Sequence, residues 1–137
     1  MSKDKVIVVD GANIAYEELS KKEEPKVSNI IEVRNALKEE GFKPIIIIDA
    51  SLRFAVDDPQ QLEALIDDQE FKQVPAETDA DYFVLETADR YGAQVVSNDR
   101  FEPYRDRYPW IEDRRVPVMI INGKVELYQP KLDKEKK

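Results

Sequence analysis

KVIVVD, residues 5–10, carries four consecutive β-branched side chains and then a carboxylate, Asp10. An unbroken run of this kind suits a strand covered on both faces, as strands of parallel sheets are. KPIIIIDA, residues 43–50, repeats the pattern and ends on Asp49. AQVVSND, residues 93–99, is a third run, and VPVMII, residues 116–121, a fourth. FKQVP, residues 71–75, reads as a short strand.

Helical patterns lie between the runs. NIIEVRNALKEEG, residues 29–41, places Ile30, Val33, Ala36 and Leu37 on one face, with Asn29 and Glu32 as an expected capping box and Gly41 as the stop. DDPQQLEALIDD, residues 57–68, offers Asp58 as cap and Pro59 as first helical residue. TDADYFVLETADRYG, residues 78–92, opens on aspartates and closes on Gly92. Asn122-Gly123 predicts a tight hairpin turn before KVELY, so the last strand is expected to be antiparallel. The alternation predicts an α/β three-layer sandwich: a mostly parallel sheet of order 3-2-1-4-5, helices on both faces and a C-terminal hairpin strand. One domain is expected over residues 1–130, followed by a charged flexible tail, residues 131–137.

The 137 residues contain no histidine and no cysteine. Ser-His-Asp and Cys-His sites are thereby excluded, as are Cys/His zinc sites and nucleases that work with a histidine pair. Acid–base chemistry must come from carboxylates, Lys, Tyr or a water polarised by a hard cation. The net charge of −8 disfavours bulk coating of nucleic acid but not a local site. The opening MSKDK leads directly into the first strand, and no apolar run reaches the length of a signal peptide or membrane span. A soluble cytoplasmic protein without a membrane partner is expected.

In open α/β sheets ligands gather at the carboxyl ends of strands, where strand order reverses. Asp10 and Asp99 end neighbouring strands in the predicted order. Asp79 and Asp81 open the helix feeding the second of these, and Glu102 follows closely after Asp99. Like charges a few ångströms apart repel by about 1–4 kcal/mol at effective dielectrics of 80 to 20. A divalent cation, Mg²⁺ or Mn²⁺, is the economical counter-charge, and it can polarise water and clamp a phosphate. Asp10, Asp79, Asp81, Asp99 and Glu102 are the candidate metal ligands. Each alone could be an ordinary turn or helix cap; their matching topological positions give the set its force. Asn13, brought round by a turn at Gly11 expected to use positive φ, is expected to aim back toward Asp10 with its amide available to a phosphate or a metal-bound water, or else to serve as an Asx turn or cap for the segment that follows. Asp49 is read as a cap outside the site.

Residues 100–115, RFEPYRDRYPWIEDRR, set five arginines against four acids and interleave Phe101, Tyr104, Tyr108 and Trp110. Such a stretch can hold phosphates and stack unpaired bases, or its aromatics can simply anchor it to the core. Arg100 and Arg105, near Asp99, are the candidate substrate contacts.

VIVVDGANIAY, IIIIDASLR and DADYFVLETADRYGAQVVSNDRFEPYRD together resemble the NYN domain of regnase-type (MCPIP-type) ribonucleases, within the PIN-like superfamily, over residues 5–128. The resemblance implies Mg²⁺-dependent endonucleolytic cleavage of single-stranded or looped RNA. It makes Asp10, Asn13, Asp81 and Asp99 the catalytic set, Ser97 and Asn98 of the same SND motif substrate contacts, and Arg53 of Ser51-Leu52-Arg53 a phosphate ligand. The chain departs from the family pattern at two places. The adjacent aspartates at the helix start read Asp79-Ala80-Asp81, and the acid expected four residues after Asp99 falls on Pro103, with Glu102 the nearest replacement. The zinc finger of the animal relatives has no cysteines to build it here. RNA is the expected partner, with a homodimer a possible assembly. The reading from another class is a catalytically weak PIN-like module that binds RNA or protein.

Overall fold

The computed structural model describes residues 5–75 and 77–128. The expected tail, residues 131–137, lies outside the described residues. Five strands form one parallel sheet in the order β3-β2-β1-β4-β5. They are β1 (Val6–Asp10), β2 (Lys43–Asp49), β3 (Phe71–Val74), β4 (Gln94–Val96) and β5 (Arg115–Val116). β1 is central, pairing Val8 with Ile45 of β2 and with Val95 of β4.

The β-branched runs are continuous because both faces of the sheet are covered. Ile7, Val9, Ile46, Ile48 and Val96 point into one core layer, beneath α1 (Gly11–Ala15) and α2 (Val27–Glu39). Val8, Ile47 and Val95 point into the other, beneath α5 (Ala80–Tyr91) and the segment carrying Phe101, Tyr108 and Ile111. The short α3 (Leu52–Ala55) and α4 (Pro59–Ile66) connect β2 to β3, and α6 (Ile111–Arg114) precedes β5. No helix among the described residues is long and apolar enough to cross a membrane.

Asp58 caps α4 ahead of Pro59, Asp79 caps α5, and Gly92 ends α5 in the left-handed conformation, all as the sequence predicts. The Asn122-Gly123 turn has positive φ at both residues, 51° and 78°. It closes the antiparallel hairpin of β6 (Val118–Ile121) and β7 (Lys124–Leu127).

Two expectations need correction. Residues 116–121 are not one strand. Pro117, which has no N–H for a ladder, divides them, leaving β5 in the parallel sheet and β6 in a separate two-stranded sheet. Nor do Asn29 and Glu32 cap α2, which begins two residues earlier at Val27, whose N–H donates to the Asp57 carboxylate (3.0 Å). Asn29 is instead buried, its amide N–H groups directed at the carbonyls of Ile14, Ala15 and Glu18 at 2.9–3.2 Å. These are carbonyls at and just beyond the end of α1, which five residues are too few to satisfy internally. Asn29→Ala removes all three of these bonds; Ile14 and Ala15 keep the Glu17 and Lys26 N–H groups at 3.1 and 2.9 Å, and the Glu18 carbonyl loses its donor, so a cost of roughly 1–3 kcal/mol is expected in urea denaturation.

Candidate active site

Asp10 is the last residue of β1 and is 6% exposed. The turn into α1 aims its side chain across the strand end toward β4. There one carboxylate oxygen accepts the buried Ser97 hydroxyl at 2.9 Å, and the other faces the Asn13 N–H at 3.5 Å. The same Ser97 oxygen accepts the Asp99 N–H at 3.0 Å. Asp99 in turn accepts the Phe101 N–H at 2.7 Å. Phe101 is fully buried with φ of 53°, a left-handed conformation that costs a bulky residue energy and is held by its packing. The order Asp10, Ser97, Asp99, Phe101 is therefore a single hydrogen-bonded chain running from the central strand to an anchor in the second core layer.

Asp81 enters from the first turn of α5 and is half-buried. Burial, aided by the charges of Asp81 and Asp99, pushes the Asp10 carboxyl up to about 7 against the lowering effects of Ser97 and the Asn13 N–H. Burial, then Asp99, then Asp79, push Asp81 up to about 6. The charged groups acting on both carboxyls are other carboxylates. Asp10, Asp81 and Asp99 thus share one acidic locality at the carboxyl edge of β1 and β4, where strand order reverses.

The remaining candidates are placed differently. Asp79 is fully engaged: one oxygen accepts the Asp81 N–H at 3.0 Å and the other the Tyr104 hydroxyl. Glu102 is exposed at the start of the 3-10 turn Glu102–Tyr104 and does not join the cluster. Gly11 does not use positive φ. Asn13 lies beside Asp10 through its backbone N–H, and its side-chain oxygen accepts the Asn98 N–H at 2.9 Å. Ser97, 0% exposed, cannot reach substrate and positions Asp10 and Asp99. The Asn98 amide pairs with the N–H and C=O of Val118 at 2.8 and 2.7 Å, carrying a ladder-like contact past Pro117. Arg53 is paired with Glu63 and reaches Gln73 at 3.4 Å. Asp49 caps α3 through the Leu52 N–H at 2.9 Å. Arg105 is held by Glu112 and the Arg100 carbonyl, whereas Arg100 is exposed with no hydrogen-bond or ion-pair partner for its side chain among the described residues.

The aromatics of residues 100–115 serve as anchors. The polar heads of Tyr104, Tyr108 and Trp110 donate to Asp79, Glu86 and Asp89, the latter two at 2.7 and 2.8 Å. All three acceptors lie along α5 or at its cap. Their spacing of seven and three residues marks one helical stripe, the signal from which this seam could have been read.

Oxygen donors in uncompensated negative surroundings fit a hard divalent cation. Asp81 contributes a carboxylate that accepts no hydrogen bond among the described residues, and Asp99 retains one free oxygen. As the side chains stand, no three acidic groups among the described residues converge on one point.

The model of the Zc3h12a-like ribonuclease NYN domain family matches residues 3–137. Comparison with curated protein sequences gave no match. Two solved structures of nuclear protein-only RNase P 2 from Arabidopsis thaliana share the fold. One aligns with TM-score 0.74 and 22% identity over 93% of this chain, the other with 0.73 and 21% over 90%. The chain spans about 30% of the length of those proteins. The shared fold and the near-complete family match agree. This chain belongs to the Zc3h12a-like ribonuclease NYN domain family.

Proposed function

We propose that the chain is a metal-dependent endoribonuclease acting on single-stranded or looped RNA, with Mg²⁺ or Mn²⁺ held among Asp10, Asp81 and Asp99. The observation that carries this reading is the placement of Asp10, Asp81 and Asp99 at one edge of the sheet, where the charged neighbours of Asp10 and Asp81 are further carboxylates. A divalent cation bound there supplies Lewis acidity toward a phosphate oxygen and an attacking water. The chain's own residues set the stage for it. Ser97 orients Asp10 and Asp99 together, and Asn13 and Asn98 lock the β1 and β4 ends in register. Arg100 is the cation of residues 100–105 whose side chain is left open to a phosphate.

With 3′-labelled RNA, cleavage is expected to stop in excess EDTA and return with Mg²⁺, leaving 5′-phosphate ends. Undiminished cutting in EDTA overturns the reading. Asp99→Asn keeps the shape and removes a ligand charge, so it should abolish cleavage while the fold persists.

The engaged Asp79 and outward Glu102 favour a second reading, a catalytically weak module that binds RNA or a protein. Calorimetry separates the two: no binding of Mg²⁺ or Mn²⁺ in the millimolar range, alongside intact RNA or partner binding, selects the module.

A further inference from the structure

Most arginines of the described residues are already committed within the chain. Arg105 is paired with Glu112, Arg53 with Glu63 and Arg90 with Glu86, while Arg115 donates to the Ser97 carbonyl at 3.1 Å. Arg114 lies over the Trp110 ring and reaches the Ala93 carbonyl at 3.5 Å. Arg107 differs. It is exposed, it has no ion pair or hydrogen bond among the described residues, and yet it is held in place. Its guanidinium carbon stands 5.1 Å from the centre of the Tyr82 ring and 5.7 Å from that of Tyr108.

The bracket is fixed firmly on the Tyr108 side. Tyr108 is 3% exposed, and its hydroxyl is fixed on Glu86 at 2.7 Å. Tyr82 belongs to α5, one residue after Asp81. The segment between them is pinned by Tyr104 on Asp79 and by Trp110 on Asp89. A guanidinium held by ring faces keeps N–H donors free, and their fork matches two phosphate oxygens. A donor fork held beforehand loses little side-chain entropy when it binds. The charge of Arg107 is also felt by Tyr104, the residue that clasps Asp79.

We propose that Arg107, held by Tyr82 and Tyr108, binds a phosphate of the RNA flanking the one at the acidic cluster. This rests on the ribonuclease reading above. It adds to Arg100 a second substrate contact, at a residue that spacing from Asp99 did not select, since the loop spends Arg105 on itself.

The test uses the full chain carrying Asp99→Asn and a fluorescent single-stranded RNA, with anisotropy read over a salt series in Mg²⁺. Arg107→Ala is expected to weaken binding roughly tenfold and to lower the slope of log affinity against log salt by about one. Arg107→Lys should restore the salt slope and only part of the affinity, because a lysine keeps the charge without the stacked fork. Tyr82→Leu should weaken binding with the slope nearly kept. Equal affinity and slope for Arg107→Ala and its parent overturn the proposal, as does a loss fully explained by a lower melting temperature. If the Asp99→Asn parent does not bind RNA and the chain with Asp99 intact does not cut it, the ribonuclease reading fails first, and that outcome is distinct.

Discussion

Asp10→Asn is expected to abolish RNA cleavage and, in the absence of metal at pH 8, to make the protein more stable. The activity loss should reach on the order of 10³-fold or more, about 4 kcal/mol of transition-state stabilisation. The gain in stability follows from the carboxyl's surroundings. Burial and the Asp81 and Asp99 charges raise it from an ordinary 3.8 to about 7, so its ionised form is disfavoured in the folded chain. A group with a raised folded value binds its proton more tightly when folded. Its contribution is favourable below the unfolded value and is lost as pH rises through the folded one. The parent should therefore lose stability between about pH 4 and pH 7 relative to the Asn variant. The gap should level off above that at roughly 2–4 kcal/mol. Urea denaturation in EDTA at pH 4.5 and pH 8 checks it: a variant less stable than the parent at pH 8, or a gap that does not shrink in acid, refutes the account. Mg²⁺ should reverse the order, raising the parent's melting temperature at pH 8 far more than the variant's, because only the parent exchanges carboxylate repulsion for ligation.

What the sequence disclosed, and what it withheld, divides along physical lines. The strand order and most helix limits were legible because they rest on local signals: β-branched runs, Asp58-Pro59, Gly92, Asn122-Gly123. That Asp10, Asp81 and Asp99 lie along one edge was legible because topology alone brings strand ends and a helix start there. What failed depends on where side chains go once the chain is packed. Asn29 read as a cap because Asn, Ile and Glu fit that template, but the acceptors it satisfies belong to residues 14–18. Ser97 read as a substrate contact from its place in a motif, and only the depth of β4 shows it facing inward. Arg105 and Arg107 cannot be told apart by composition; what separates them is Glu112 on one and two tyrosine faces on the other. Asp79 illustrates the same limit, since its second oxygen is taken by a tyrosine 25 residues away.

Gly11→Ala is expected to destabilise the protein severely, although helix propensity alone argues the reverse. Gly11 is the first residue of α1 and does not use positive φ, so alanine there should gain roughly 0.5–1 kcal/mol on conformational grounds. The space decides otherwise. A Cβ at this position would lie 2.6 Å from the Ile47 carbonyl oxygen and 2.7 Å from the Ile48 Cγ2, with the Ile46 Cγ2 at 3.4 Å. Ile48 could in part rotate away. The Ile47 oxygen cannot, because Ile47 sits opposite Asp10 in the β1–β2 ladder, at the centre of the sheet. Relief must come from moving α1 or the end of β1. Either displaces Asp10 from Ser97 and Asn13 from Asn98. The expected loss is about 2–4 kcal/mol, the range of overpacking at a rigid site, with cleavage falling along with it. Gly123→Ala provides the contrast. That glycine has φ of 78° and open space, so only backbone strain applies, and a loss of about 1 kcal/mol with intact cleavage is expected. Should Gly11→Ala prove as stable as its parent in urea, β2 does not approach α1 as closely as the structure places it, and the steric argument falls.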